Sequence, residues 1–387
     1  MTYLERAALM GLDLDRLRKG ETLHTEVVIE TLDHFTAIFG HGVNKSARAA
    51  FSFDLDTGFE GDAPVTQLLH HTYGNSVGTD AAETLFPMTL SATAGETVTI
   101  DSDIHIPASS PPYALVVGTL IFDGGSITVE STQATLSADT LKLVRGGTKT
   151  YYLGIIGKAG DTGPEGDPGT SVPGHASDGS SAKPKSPGIC DGAGNGKPGS
   201  NGAPGGTGGM GGAGGTGLPS WPATITIRAV DPESVGQFVV YTQSGAGGKG
   251  GPGGTGGAGQ EGGGGGKGCS SGAEGTNGGN GGAGGDGGAG GQGGPGGVPA
   301  DGMGITINFP KAAVASLTTI PTTVSGGPGG DGGEGGAGGT GGTSGSGGTG
   351  HHGGNHGAAG LPGAKGPAGV ANPSIGKAAG ITINPIS

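Results

Sequence analysis

Three histidines in Gly350-His351-His352-Gly353-Gly354-Asn355-His356 stand close enough to bind a transition metal through imidazole nitrogen. The surrounding glycines leave such a site without preorganisation, so these residues read instead as a solvent-facing loop tip able to touch a ligand. Asp54-Leu55-Asp56-Thr57-Gly58 begins like a calcium loop but lacks the next oxygen ligand and the closing glutamate. His70 and His71 read as partly buried beside an N-terminal core. G-x-G-x-x-G recurs by composition, never between a strand and a helix, and G-x-x-x-x-G-K-[ST] does not occur. No Ser/His/Asp set or carboxylate pair is placed on a recognisable framework. The expectation is no enzyme, no cofactor and no metal. Cys190 and Cys269 are too few for a disulfide scaffold. Both lie against glycine runs, where they either staple two runs together or remain free thiols.

What must position such residues is glycine. Of 97 glycines in 387 residues, 14 precede Thr150. From Gly247, Gly250, Gly253 and Gly256 to Gly268, glycine falls at every third position; after a slip at Ser270-Ser271 it resumes through Gly272, Gly275, Gly278 and Gly281 to Gly296. A period of three is neither the 3.6 of an α-helix nor the 2 of a strand. It matches the left-handed polyproline-II spiral, which has three residues per turn and no internal hydrogen bonds. Buried backbone groups need partners, so such rods must bond to one another, with Cα–H···O contacts in support. Triplets of type G-G-x leave two bare edges and G-x-x only one, so G-x-x rods are predicted outside and G-G-x rods inside. The predicted fold is mainly irregular and β: short N-terminal helices, a small β region, then a bundle of polyglycine-II helices with short strands between runs.

Charge and hydrophobicity exclude several classes. A net charge of −13 argues against a nucleic-acid backbone as partner. No apolar run reaches the length of a membrane span, and MTYLERAALMGLDLDRLRKG has no apolar signal core. With 32% hydrophobic and 4% aromatic residues, one large apolar core is ruled out.

The chain divides into three expected regions. Residues 1–90 form a partly helical attachment domain, with one helix ending at Gly20 and a second over Thr22–Phe39, where Val28, Leu32, Phe35 and Phe39 recur at helical spacing. Residues 91–153 form a β connector, a sandwich or a few β-helix rungs, whose inward pairs include Leu120/Phe122, Ile127/Val129 and Leu141/Leu143. Residues 154–387 carry the glycine runs. Within them ATITIRAV (Ala223–Val230), GITINF (Gly304–Phe309) and GITINPI (Gly380–Ile386) repeat a period-2 strand motif after glycine runs. The inserts DPESVGQFVVYTQ and PKAAVASLTTIPTTV are expected to cap rod ends. Candidate ligand contacts at loop tips are Trp221, Phe238, Tyr241, Phe309, His351, His352 and His356.

These runs, the ITIN strands and the absent signal segment resemble phage tail-fibre and receptor-binding proteins, above all the T-even-type tail-fibre adhesins. The resemblance spans about residues 154–387. It implies a sandwich of polyglycine-II helices whose connecting loops touch a bacterial surface receptor, protein or glycan. It also implies a virion (tail) location acting extracellularly, docking to other tail proteins through residues 1–150, and a homotrimer among the expected assemblies. The same runs are similar to the snow-flea antifreeze protein, for which Thr255, Ala258, Ala283, Ala289, Thr340, Thr343 and Thr349 would form the ice-facing surface. GGAGGTGG looks like mycobacterial PE-PGRS proteins, although positions 5–9 read ERAAL. GPEGDPG looks like collagen, although phase is lost at Ser271 and Ser344. A filament or matrix subunit without receptor binding is the alternative from a different class.

Overall fold

The computed structural model describes residues 1–39, 80–108, 110–145, 149–186 and 188–387, together with 68 and 72. The acidic loop at Asp54–Gly58 and the pair His70-His71 lie outside the described residues.

The N-terminal region begins with two short helices, α1 (Tyr3–Leu9) and α2 (Leu14–Arg18). Thr2 and Glu5 close a capping box on α1, and the Asp13 carboxylate accepts from the Asp15 and Arg16 amides at the start of α2. Gly11 (φ 70°) and Gly20 (φ 83°) supply the left-handed residues that end them. The single helix expected over Thr22–Phe39 is corrected: Leu23–Ile29 is strand β1, and only Leu32–Phe39 is helix α3. The β-branched run Val27-Val28-Ile29 pairs with a neighbouring strand, and that pairing outweighs the helical spacing of the apolar residues. A one-turn helix, α4 (Asp80–Glu83), leads into the next strand, which starts at Met88.

The β region is a coil of parallel rungs. Strands β2 (Met88–Ile100), β4 (Tyr113–Phe122), β6 (Ala134–Leu143), β8 (Ala223–Val230), β10 (Ile305–Pro310) and β14 (Ile381–Ile386) stack in one sheet, with β1 antiparallel on its edge. Strands β3 (Ile104–Ile106), β5 (Ile127–Glu130), β7 (Leu153–Ile156), β9 (Phe238–Gln243) and β11 (Leu317–Thr322) stack in the second. The chain alternates between the sheets, so each rung contributes one strand to each. Of the two β architectures left open by the sequence, this is the rung type. The dividing line at residue 153 does not hold for the sheets, because β8, β10 and β14 continue the ladder begun by β2, β4 and β6. The repeated motif stacks in register, Ile307 between Ile225 and Ile383 and Thr306 between Thr224 and Thr382.

The two sheets enclose one core, in which Phe122, Phe238 and Phe309 stack along the coil with centroids 5.9 and 6.3 Å apart. A second core lies on the other face of the larger sheet, where Phe35, Phe39, Met10 and Leu17 cover Leu90, Ala92, Ala94 and Val116. Burial on both faces explains why Tyr113–Val117 reads as an unbroken apolar run instead of alternating. The insert FVVYTQ is β9, and LTTIPT is β11. Both are rungs of the smaller sheet and not caps on glycine runs.

The glycine runs replace the corner between the smaller and the larger sheet in three successive rungs. In the first rungs that corner is short, as between β5 (ending at Glu130) and β6 (starting at Ala134). After β7 the chain travels out along run 1 (157–182) and back along run 2 (196–217) before entering β8. After β9 it uses run 3 (245–268) and run 4 (276–298). After β11 and the two-residue strand β12 (Val324–Ser325), it uses run 5 (326–348) and run 6 (353–372). Strand β13 (Ile375–Gly376) then pairs with β12 at the base of the slab.

Stacked rungs are about 4.8 Å apart, so hairpins leaving the same corner lie side by side. Runs 1, 3 and 5 form one parallel layer; runs 2, 4 and 6 return as the other. One amide of each triplet donates to a neighbouring run in runs 1, 5 and 6, and two do in runs 2, 3 and 4, as in Gly253 to Asp331 O and Gly254 to Gly209 O, both 2.9 Å. Runs 3 and 4 each bond to four neighbours, runs 2 and 5 to three, and runs 1 and 6 to two. Triplet type follows neighbour number. Gly160 of run 1 turns a single edge to both Gly215 and Gly248, whereas run 3 uses Gly253 against run 4 and Gly254 against run 1. The distal half of run 2 departs from this rule, with Lys197, Ser200 and Ala203 at the second position. Along run 2 the second-position contact is the looser one: a Cβ at Gly206 would meet Thr170 N at 2.9 Å. Gly272, read as a member of the lattice, sits in a turn where an added Cβ would meet nothing within 4 Å, so packing does not require glycine there.

The edge strands β14 and β11 are blunted by proline. Ile305 donates to Gly380 O at 2.8 Å, so alternate residues Gly380, Thr382 and Asn384 face β10, while Ile381, Ile383 and Pro385 point their backbone outward. The same alternation, counted from Tyr152 donating to Val239 O, places Pro321 outward on β11. Each proline removes an outward donor where a further strand would pair. Replacing both (P321T/P385T) is expected to produce oligomers in size-exclusion chromatography with light scattering. An unchanged elution mass would refute this role.

Candidate functional site: the slab faces and the distal turns

All three turns that reverse the runs lie together at the end of the slab remote from the coil. Cys190 in the first turn and Cys269 in the second form a disulfide with Cα atoms 5.8 Å apart, both side chains buried. Of the two states left open for these residues, the structure holds the staple. The second and third turns are joined by Ser270 to Thr349 (Oγ to Oγ1, 2.9 Å), and the Thr349 hydroxyl donates to Ser271 O at 2.9 Å. Thr276 donates to Gly194 O (3.1 Å), which ties the second turn to the first. The distal end is therefore cross-braced although it contains almost no apolar side chain.

The candidate contact residues divide sharply. His351 and His352 are exposed on the third turn, and His356 is exposed on run 6. His351 Nδ1 lies 3.3 Å from Asn277 Oδ1, and the His352 amide donates to the same oxygen at 3.1 Å. Trp221, Phe238, Tyr241 and Phe309 are not at loop tips, and that reading is corrected. Phe238 and Phe309 are buried in the coil core because their strands alternate inward at those positions. Trp221 packs at the base of run 2 against the N-terminal core. Tyr241 lies on the outer face of the smaller sheet, stacked on Tyr151 at 5.2 Å. The sequence reading places these residues in loops at the rod ends; the period-2 flanks of Phe238, Tyr241 and Phe309 are the signal that they belong to strands, whereas Trp221 lies just before β8.

The two broad faces of the slab have different chemistry. On the face of runs 1, 3 and 5 the outward positions include Glu165, Lys249, Glu261, Lys267, Asp331 and Glu334. Lys249 bonds Asp331 at 2.7 Å and holds its carboxyl below the ordinary aspartate range, by hydrogen bond first and by charge second. Both groups are solvent-exposed, so the pair adds little to stability. On the face of runs 2, 4 and 6 the central column reads Asn277, Asn280, Ala283, Asp286, Ala289, Gln292, Pro295 and Val298, with a single charge. Met210 (64% exposed) and Leu361 (69%) flank it.

An outward-facing amide of one run has no glycine neighbour to accept from it, and side chains fill that role. Asn195, Asn201, Asn277 and Asn280 each accept the amide of the residue beside them on the next run, Asn277, Ala283, His352 and Asn355 respectively, at 2.8–3.2 Å. Asp286 does the same for Leu361 at 2.8 Å. Sequence reasoning missed this ladder. Its only trace there was Asn or Asp recurring at the third position of triplets.

Among the described residues no group of three or more His, Cys, Asp or Glu side chains could hold a metal ion, and no helix is long and apolar enough to cross a membrane. No protein-family model and no curated protein matches the chain. Among solved structures, a springtail antifreeze protein from Granisotoma rainieri, a bundle of nine polyproline type II helices, aligns at 23% identity over 54% of this chain and 93% of its own. The TM-score is 0.08, so the two structures do not superpose.

Proposed function

We propose that this chain is a tail-fibre or receptor-binding component of a phage particle that presents its distal turns to a host surface. We infer further that the six runs are polyglycine-II helices. The observation that carries the first reading is the disulfide-bonded cluster of turns at the far end of a slab anchored on a rigid coil. At about 3.1 Å per residue, run 3 would hold that cluster roughly 70 Å from its root. Insertions that leave one corner of successive repeats commonly form a binding face, and contact residues on turns held by a rigid scaffold are a common arrangement.

The runs support the second inference through their bonding: none has backbone bonds within itself, and each donates outward with a period of three residues, from one or two amides per triplet. Three-bond HN–Hα couplings of isotope-labelled protein test it, since φ near −75° is required along the runs. Values typical of extended β backbone would refute it.

The attachment role is tested by removing the exposed turn. Particles whose chain lacks His351–His356 are expected to adsorb to host cells about tenfold more slowly, the loss of one contact cluster. The purified protein should keep the coil and runs 1–4 with only a small fall in melting temperature, because the deletion gives up just the distal bonds of run 6, such as those from Gly278 and Gly281 to His352 O and Asn355 O. Unchanged adsorption would remove the turn from the contact surface.

A further inference from the structure

We infer that the distal half of the face formed by runs 2, 4 and 6 is a saccharide-binding surface whose donors are the amide groups of Asn195, Asn201, Asn277 and Asn280. This deepens the attachment reading and rests on it for its biological setting. Each of the four side-chain oxygens already accepts a backbone amide from the adjacent run. That fixes the orientation chemically: the oxygen faces the next run and the NH2 faces solvent. All four residues are exposed, and among the described residues none of the four NH2 groups has a partner.

The result is a set of donors pinned to a lattice. Asn195 and Asn277 are neighbours across two runs, about 5 Å apart by the spacing of the stacked rungs. Asn280 lies one triplet farther along run 4, about 9 Å at 3.1 Å per residue. His352 completes the first row, beside Asn277. The surface therefore offers many fixed N–H donors, no acid within the rows that hold these four asparagines, and no cation on them. Hydroxyl, ring and glycosidic oxygens of a neutral saccharide chain supply the matching acceptors at repeated intervals. Ala283 and Ala358, between the donors, are small enough to let a sugar ring lie flat. Because backbone bonds hold the donors before any ligand arrives, little side-chain ordering is left for binding to impose.

The lattice contains its own control. At an equivalent position Asp286 accepts the Leu361 amide at 2.8 Å, so aspartate satisfies the neighbouring run as asparagine does. The variant N195D/N277D/N280D should therefore fold with the wild-type circular dichroism and melting curve while replacing outward donors by anionic acceptors. Full-length protein would be passed over a panel of immobilised neutral and uronate-bearing polysaccharides. The expected result is retention on neutral polysaccharide that weakens about tenfold or more in the triple variant, three donors being lost. D286N, which adds a donor, is the second variant and should bind at least as tightly as wild type. Equal retention of wild type and triple variant would overturn the proposal. So would retention confined to uronate-bearing chains and abolished by salt, or no retention on any saccharide. Saccharide retention that is lost in the triple variant while its particles adsorb as fast as wild type would count against the attachment role alone.

Discussion

Replacing Gly288 by alanine is expected to melt the slab, whereas the same change at Gly264 should leave it intact. A Cβ on Gly288 would fall on the Gly206 carbonyl oxygen, well inside the 3.0 Å that real Cβ atoms keep, with Gly205 O at 2.9 Å. The obstacle is backbone that is itself bonded, since Gly206 O accepts from Gly257 N and Gly257 O accepts from Gly288 N, both at 2.8 Å. No rotamer can yield, so runs 2, 3 and 4 must separate locally. Overpacking costs about 1–3 kcal/mol, and each buried bond left open adds about 1–3 kcal/mol. The total is on the order of 5 kcal/mol, comparable to the whole stability of many domains. At Gly264 the nearest atoms are the Asp178 and Thr343 side-chain oxygens at 3.3 Å, on the open face. There the expected effect is within about 0.5 kcal/mol. Thermal denaturation of the two variants decides the matter: a Gly288→Ala protein that melts with the wild type would show that the runs are not packed as described.

Loss of the Cys190–Cys269 bond is the second large expected effect. The bond spans 79 residues of sequence and joins the first and second distal turns. A loop of about that length corresponds to roughly 4.5 kcal/mol of chain entropy in the unfolded state, and native bonds of this kind typically contribute about 2–4 kcal/mol. C190S/C269S should therefore lower the melting temperature. The change should also be polarised. Amides near the staple, such as Gly268 and Gly278, should exchange hydrogen faster, while Ile225 and Ile307 in the coil keep their protection. Uniform loss of protection would mean that slab and coil unfold as one unit, and unchanged protection would make the bond incidental.

How much of this was legible in the chain depends on the kind of periodicity involved. The triplet phase at Gly247–Gly268 reports directly on geometry, because each bare edge marks a neighbouring backbone, and so the inner and outer runs could be ordered in advance. The inward pairs Leu120/Phe122 and Leu141/Leu143 were readable for the same reason. What period 2 cannot report is the pairing partner. Nothing local tells Ile225 that its neighbours are Leu136 and Ile307, when glycine hairpins separate all three in sequence. That gap hid the coil, and with it the burial of Phe238 and Phe309. The segment Leu23–Ile29 failed differently. Its spacing suits a helix, and only the edge of β2 makes it a strand. At the candidate site, the exposed histidines stood out by composition, whereas the asparagine ladder appears only when runs separated by 82 and 75 residues are set side by side.

The hairpins leave the coil as insertions in a single corner, and this has a mechanical consequence. A pull on the distal turns acts along the runs, perpendicular to the hydrogen bonds that join them. Bonds loaded in this shearing direction share the force and must yield together; a load applied across the runs would open them in succession, like a zipper. Tension at the tip is thus spread over six anchored segments, whereas a sideways peel begins at run 1 or run 6, each held by only two neighbours.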